Sequence, residues 1–497
     1  MQAQPMPNDG RDGTRPVQVP TGIQGLDQLL NGGLRQGALH VVLGGPGLGK
    51  SILAHQIGAH LIRAGGKVLY LTALVETHQT LLSQARTFRF FDPAFVPGSF
   101  YYASLYPALA KGGVEAAAVE IRRLVMEQGP SLVILDGVHA LKTSAQDGLA
   151  YQHFIHELEA QAAISGVTTL LLAHPSEGGI STDPTFTIAD AIFEMTSDVV
   201  RMRRVRMFSV VKLRGVDHVD GLHTFRIGAD GIEVHPRLEA VVTGVAVVSG
   251  APPEDASDEM LDFQVEGLAD LLGGGLARDS VSMVVGTPGS GKTLLGVSFL
   301  TAGAEAGEPG LFFGYHETPS ALIQKANAVD LPLRRHIEEG RIHVYWKLPT
   351  QLLADEEAHR LFELIERHKI RRVVIDALED VRQAVIPRER ELDLLAGIAG
   401  RLRAGQVSAL LMQNLERIVG VNFDLPLAEL SAMLDNVLHL RYVEQKGELK
   451  RLISALKVRA RQHDHRLREF QISSKGLKVG KAYDRSDMVL TGLGVSR

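Results

Sequence analysis

The chain has 497 residues, a formal net charge of −5, 45% hydrophobic and 22% charged residues, and no cysteine. That length exceeds what one hydrophobic core usually organises and suits two domains of about 200 to 250 residues. The missing cysteine excludes a disulfide framework, a thiolate metal site and a cysteine nucleophile, and no apolar run approaches the ~18 residues of a membrane span, so a cytoplasmic protein without membrane contact is expected.

Residues 1–15 carry Pro, Asn, Asp and Gly without an apolar core, which fits a disordered tail and neither a signal peptide nor an anchor. A first domain is expected over residues 16–247. Within it, Gly25-Leu26-Asp27-Gln28-Leu29-Leu30-Asn31-Gly32-Gly33-Leu34 leads to an apolar strand-like run, Leu39 to Leu43. Next comes Gly44-Gly45-Pro46-Gly47-Leu48-Gly49-Lys50-Ser51, a complete GxxxxGK[ST] loop, and then a helix-like stretch. Strand, loop and helix in that order are the context this motif needs. The glycines let backbone N–H groups turn inward around a triphosphate, the helix N-terminus adds its positive end, and the lysine reaches the outer phosphates. Ser51 is then a candidate Mg2+ ligand.

Farther along, Leu132-Val133-Ile134-Leu135-Asp136 is an apolar run ending in a carboxylate, which reads as a Walker B strand with Asp136 as a second metal candidate. A buried strand ending in a solvated turn aspartate explains a single run of this kind equally well. Lys212-Leu213-Arg214-Gly215-Val216-Asp217-His218 then sets two cations two residues apart, on one face if the backbone is extended. Residues 248–261, rich in Pro and acid and without apolar period, read as a linker.

The second domain, expected over 262–497, repeats all of this. Gly267 to Leu276 matches Gly25 to Leu34, and Gly286-Thr287-Pro288-Gly289-Ser290-Gly291-Lys292-Thr293 matches the first loop, both 242 residues on. Val373-Val374-Ile375-Asp376 returns the carboxylate strand at an offset of 240, and Lys457-Val458-Arg459-Ala460-Arg461-Gln462-His463 returns KxRxxxH at 245. A tandem duplication explains these offsets, and recurrence makes coincidence a poor account of either short motif. Thr293 and Asp376 become the second pair of metal candidates. In each half Val/Ile/Leu runs alternate with helical stretches, predicting an α/β fold with a mainly parallel sheet and helices on both faces. Ligands of such sheets sit beyond the strand carboxyl ends, so one nucleotide is expected per half.

The GGGL entry, the doubled phosphate loop and the run Tyr442-Val443-Glu444, Lys457-Val458-Arg459, His463-Asp464 and Arg468-Glu469-Phe470 together resemble the KaiC family of tandem RecA-like ATPases over residues 16–490. The resemblance implies ATP and ADP as ligands, Mg2+ as cofactor, and a homohexamer with nucleotides between neighbouring subunits. It also implies that Lys212, Arg214, His218 and their counterparts Lys457, Arg459 and His463 act in trans. Where members carry adjacent glutamates after the second core strand, this chain has Val75-Glu76 and His316-Glu317. Glu76 and Glu317 are therefore the candidate catalytic carboxylates, with Arg214 and Arg459 as catalytic cations. Ser431-Ala432 stands where the kinase half places a Ser-Thr phosphoacceptor pair, leaving Ser431 as the one candidate. With the sequence ending soon after Tyr483, where clock members carry the tail that engages an activating partner, a clock oscillator role is not expected.

Three functions fit these residues to different degrees: an ATP-hydrolysing hexameric regulator acting on a signalling protein, a serine/threonine autokinase in the same fold, and a DNA-dependent ATPase of the RecA/RadA kind. Residues 441–481 hold 12 Lys/Arg against 4 Asp/Glu, and such a segment could grip DNA. It overlaps KxRxxxH, however, and the chain shows no base-stacking platform. The regulator is the expected function, with slow serine autokinase activity beside it and nucleic acid not expected as a partner.

Overall fold

The computed structural model describes residues 16–73, 78–175, 183–242, 259–415, 433–445, 447–459 and 461–483. Glu76 and Ser431 lie outside these. Two units emerge, divided in sequence between Ala240 and Val241, each built on a nine-stranded sheet.

Side chains alternate along a strand, and the phosphate-loop strand Leu39–Gly44 uses both sets. Leu39, Val41 and Leu43 join Val133, Leu135 and Leu171 in one apolar cluster, while Val42 joins Tyr70, Ile134 and Leu170 in another. Helix Lys50–Arg63 covers the second cluster through Leu53, Ala54 and Ile57. Helices Tyr106–Gln128 and Gly148–Ser165 cover the first through Ile121 and Ile155. Burial on both faces is why these strands read as continuous apolar runs.

In the first unit Ala191–Val200, Leu39–Gly44, Thr168–Ala173, Leu132–Asp136, Val68–Thr72 and Phe100–Ser104 lie side by side and parallel. In the second the same positions are taken by Asn436–Gln445, Val281–Gly286, Ser408–Asn414, Arg372–Asp376, Gly310–Gly314 and Ile342–Trp346. The α/β expectation therefore holds in each unit. Each sheet is then extended by three antiparallel strands: Arg203–Leu213, His223–Gly228 and Gly231–His235 in one, Glu448–Val458, Arg468–Ser473 and Gly476–Ala482 in the other. The first hairpin of the extension turns through Arg201 and Met202, both at positive φ (48° and 63°), the backbone twist that suits a two-residue hairpin loop.

Both extensions carry a bulge at the same place. Ile192 pairs with Lys212 and Phe193 with Val210, leaving Val211 extra; Val437 pairs with Lys457 and Leu438 with Ala455, leaving Leu456 extra. The extra residue stands outside the cross-strand register, and Val211 and Leu456 are 42% and 45% exposed. A bulge re-aims the residues beyond it, and here those residues are the cationic pair.

Candidate nucleotide sites

Each phosphate loop leaves its strand at the carboxyl edge and feeds a helix, Lys50–Arg63 in one unit and Lys292–Glu305 in the other. Gly49 and Gly291 precede these helices at φ 103° and 106°, where L side chains are strained. Space is also lacking: a Cβ on Gly49 would sit 2.7 Å from Ile227 Cδ1, and one on Gly291 2.6 Å from Ile472 Cδ1. The two lysines are held alike. Lys50 Nζ donates to the carbonyls of Gly44 (2.7 Å) and Gly45 (3.1 Å), and Lys292 Nζ to those of Gly286 (2.8 Å) and Thr287 (3.0 Å). Burial lowers both ammonium pKa values, opposed by Asp136 and Asp376 respectively.

The carboxylate strands bring the expected oxygens together. Ser51 Oγ donates to Asp136 Oδ2 at 3.2 Å, and Thr293 Oγ1 to Asp376 Oδ2 at 2.6 Å. A hydroxyl beside a carboxylate is a hard-oxygen donor set that suits Mg2+, which usually keeps waters and substrate phosphates as its other ligands. No cluster of three or more His, Cys, Asp or Glu side chains able to hold a metal occurs among the described residues. Burial raises the Asp376 pKa, with Thr293 and Lys292 opposing.

The sites differ beyond this shared core. Tyr70, hidden within the apolar run Val68–Thr72, donates its hydroxyl to Asp136 Oδ2 at 2.6 Å. Burial and the Asp136 charge push the phenol pKa well up, so it stays a donor. Phe312 stands at the repeat position in the second unit. His55, one helical turn beyond Ser51, bonds the Ser51 carbonyl (2.6 Å) and Tyr102 hydroxyl (3.0 Å) and stacks on Phe100.

In the second unit a cavity of about 510 Å³ includes Lys292, Thr293, Asp376, Glu317, Asn414 and Arg451 in its walls. Glu317 is thus beside the phosphate loop, ion-paired with Lys325. His316 lines the same cavity, but its Nε2 lies 2.9 Å from Asp380 Oδ2 and so faces a carboxylate. Sequence reasoning missed Arg451 and Asn414. Arg451 pairs across the hairpin with Tyr442, whose hydroxyl donates to the Gly289 carbonyl at 2.5 Å. Asn414 ends its strand and donates to Glu379 Oε1 at 2.7 Å.

The KxRxxxH residues do not join their own phosphate loops. Arg214 N donates to Asp190 O, and Asp190 N to Leu39 O, so Arg214 is level with the start of the Leu39–Gly44 strand. Five residues of strand, roughly 16 Å, separate that level from Gly44. Arg459 repeats this through Asp435 and Val281. Lys212 Nζ and Arg214 Nη2 both donate to Thr187 O (2.9 and 3.1 Å), Lys457 Nζ to Leu434 O (2.8 Å), and Arg459 Nη1 to Asp435 Oδ1 (3.1 Å). His218 faces Asp220 at 3.1 Å and His463 packs against the His465 ring. Much of the basic 441–481 segment is likewise engaged within the unit, Arg466 and Arg468 by Asp464 and Lys478 by Glu266.

A parallel sheet with a glycine-cradled lysine at its carboxyl edge and a hydroxyl–aspartate pair beside it, made twice in one chain, defines a tandem RecA-like P-loop ATPase. The family profile of the KaiC ATPase matches residues 19–239 and again 262–484. This chain belongs to the KaiC family. Among similar proteins are the circadian clock protein KaiC3 of Synechocystis sp., 26% identical over 491 residues covering 95% of this chain and 94% of the relative, and the circadian clock oscillator protein KaiC of Picosynechococcus sp., 24% identical over 95% of this chain and 92% of the relative. That of Thermostichus vulcanus is 24% identical, covering 95% and 91%. No helix among the described residues is long and apolar enough to cross a membrane.

Proposed function

We propose that this chain is an ATP-hydrolysing regulator with two Mg-nucleotide sites, one per repeat, working as a homohexameric ring. The observation that carries this reading is the lysine, hydroxyl and aspartate constellation built twice on equivalent strands. On binding ATP, Lys50 and Lys292 exchange their loop carbonyls for phosphate oxygens. Ser51 with Asp136, and Thr293 with Asp376, would hold Mg2+, which would supply charge neutralisation on the phosphates. Glu76 and Glu317 orient a water for attack on the γ-phosphorus, and the bond to the ADP oxygen breaks. Arg214 and Arg459, at the far edge of their own sheets, complete a neighbour's site.

Slow phosphate transfer to Ser431 is proposed as a minor reaction. His316, which could have helped Glu317 as a base, is turned to Asp380. The clock role named for the relatives is not carried over, since Ala432 and His316 stand where an acceptor and a carboxylate would be needed. Labelled ATP tests the reading: released phosphate is expected to exceed protein-bound phosphate greatly, and the bound fraction to vanish in Ser431→Ala. Nucleotide stoichiometry should fall from two to one in either Lys50→Ala or Lys292→Ala, and one nucleotide per saturated wild-type chain would overturn it.

A further inference from the structure

The sheet face beneath helix Lys50–Arg63 carries polar side chains that the second unit lacks. His55 is 4% exposed and Tyr70 fully buried, and Phe100 and Tyr102 reach them from the edge strand Phe100–Ser104. The second unit has Val297, Phe312, Ile342 and Val344 at these places, 242 residues on, and all four belong to or pack against one apolar cluster. An apolar lining therefore suffices for this helix in this fold. The first unit instead hides an imidazole and two phenols there, groups that cost free energy on burial unless hydrogen-bonded.

Both ring nitrogens of His55 have partners, Nδ1 the Ser51 carbonyl oxygen at 2.6 Å and Nε2 the Tyr102 hydroxyl at 3.0 Å. A carbonyl can only accept, so Nδ1 carries the hydrogen, and the Nε2 lone pair of the neutral ring takes the Tyr102 O–H. Stacking on Phe100, with centroids 5.5 Å apart and planes inclined by 10°, fixes the ring plane. The hydrogen bonds run one way, from the edge strand through the imidazole to the peptide that follows Ser51. The Ser51 hydroxyl is meanwhile held by Asp136 at 3.2 Å, and Asp136 by Tyr70 at 2.6 Å. Ser51 is gripped by its backbone and by its side chain at once. In the second unit Thr293 keeps the contact to Asp376, but Val297 and Val344 have no polar atoms with which to build the backbone grip.

We propose that His55, oriented by Tyr102, is a positioning residue for the first metal site, fixing the Ser51 peptide so that the hydroxyl meets Mg2+ without rearrangement. This rests on Ser51 and Asp136 being the metal pair of the first site, as proposed above. A site ordered before its ligand arrives loses less free energy on binding. The two repeats would therefore hold the metal unequally, the first more tightly for the same nucleotide.

The test uses the full chain carrying Lys292→Ala, so that only the first site is read, loads it with a non-hydrolysable ATP analogue and titrates Mn2+ by spin resonance. His55→Val, which installs the second unit's residue, should weaken Mn2+ roughly threefold to tenfold, the scale of one hydrogen bond, and leave the analogue's affinity without metal within about twofold. Tyr102→Phe should weaken Mn2+ less. The double variant should lose no more than His55→Val alone, because Tyr102 reaches Ser51 only through the imidazole. His55→Asn, which keeps an N–H near the place of Nδ1, should recover part of the loss. Imidazole nitrogen NMR shifts of the metal-free chain should show His55 protonated on Nδ1 and not on Nε2. The opposite tautomer, an unchanged Mn2+ affinity, or equal losses of Mn2+ and of metal-free analogue binding would overturn the proposal. Asp136→Ala in the same background should abolish Mn2+ binding; if it does not, the metal pair is misread, a failure distinct from that of His55.

Discussion

Tyr70 makes the candidate metal aspartate of the first unit better braced than that of the second, because Asp136 Oδ2 accepts both its hydroxyl and that of Ser51 while Asp376 Oδ2 accepts from Thr293. Removing one such hydrogen bond costs about 0.5–1.5 kcal/mol, so Tyr70→Phe should weaken Mn2+ binding at the first site roughly threefold to tenfold. Spin-resonance titration with Mg-free nucleotide should show the second site unchanged. His40 is a different kind of single-residue determinant. It is fully buried, Arg35 N–H donates to its Nε2 at 3.2 Å, and burial pushes its pKa down to about 4, with Asp190 opposing. His439 in the other unit is pushed down to about 4 by burial, with Arg441 adding to it. Unfolded histidine titrates near ~6.5, so between pH 6.5 and 4 the unfolded chain binds protons that the folded chain refuses. This stability is fully present above pH 6.5 and is lost as pH falls toward 4, by up to ~1.4 kcal/mol per pH unit for each histidine. Urea unfolding at stepped pH should show that slope, and His40→Gln, which keeps an acceptor for Arg35 N–H, should reduce it by about one proton.

Among elements, the bulged hairpins decide where the cationic pairs point, and their register can be checked by substitution. Val210 is a core residue at 5% exposure, and its neighbour Val211 is the extra residue of the bulge. A lysine at Val210 buries an unpaired charge, so Val210→Lys should cost ~3 kcal/mol or more, while Val211→Lys should stay within about 0.5 kcal/mol. Thermal melting of the two variants separates these outcomes, and equal costs would mean the register is wrong. Such a bulge was invisible in the sequence, because Phe208 to Leu213 reads as one apolar-rich strand, and only the pairing with Ala191 to Met195 across the hairpin shows that Val211 has no partner. The phosphate loops and carboxylate strands were legible because their chemistry is local: glycine spacing, a lysine, and an aspartate after apolar residues. Tyr70 and Asn414 were not, since each acts across strands, and only register brings the phenol to Asp136 or the amide to the loop. The opposite-edge placement of Arg214 and Arg459 also required the pairing through Asp190 and Asp435.

At the scale of the whole molecule, that placement gives the proposed ring its chemical purpose. In that proposal, a cation about 16 Å of strand away from its own phosphate loop would serve a nucleotide brought to it by another copy, and a cation supplied by a neighbour can be worth ~10³–10⁵ in phosphoryl-transfer rate. The Arg459 side chain is 65% exposed, and its partner Asp435, only 13% exposed, keeps Arg403 and the Val281 N–H as partners when Arg459 is removed, so the fold has little stake in it. Arg459→Ala should therefore melt near the wild-type temperature and still bind nucleotide, yet lose most hydrolysis at the second site. Lys292→Ala loses the same site for the opposite reason, keeping its arginine and discarding its phosphate grip. Mixed in one ring, the two defective chains complement each other wherever an Arg459→Ala chain presents an intact phosphate loop to a Lys292→Ala neighbour. Activity regained on co-assembly, measured with Lys50→Ala in both chains to silence the first sites, is the expected outcome, and rings that mix fully without regaining hydrolysis would show that each subunit works alone.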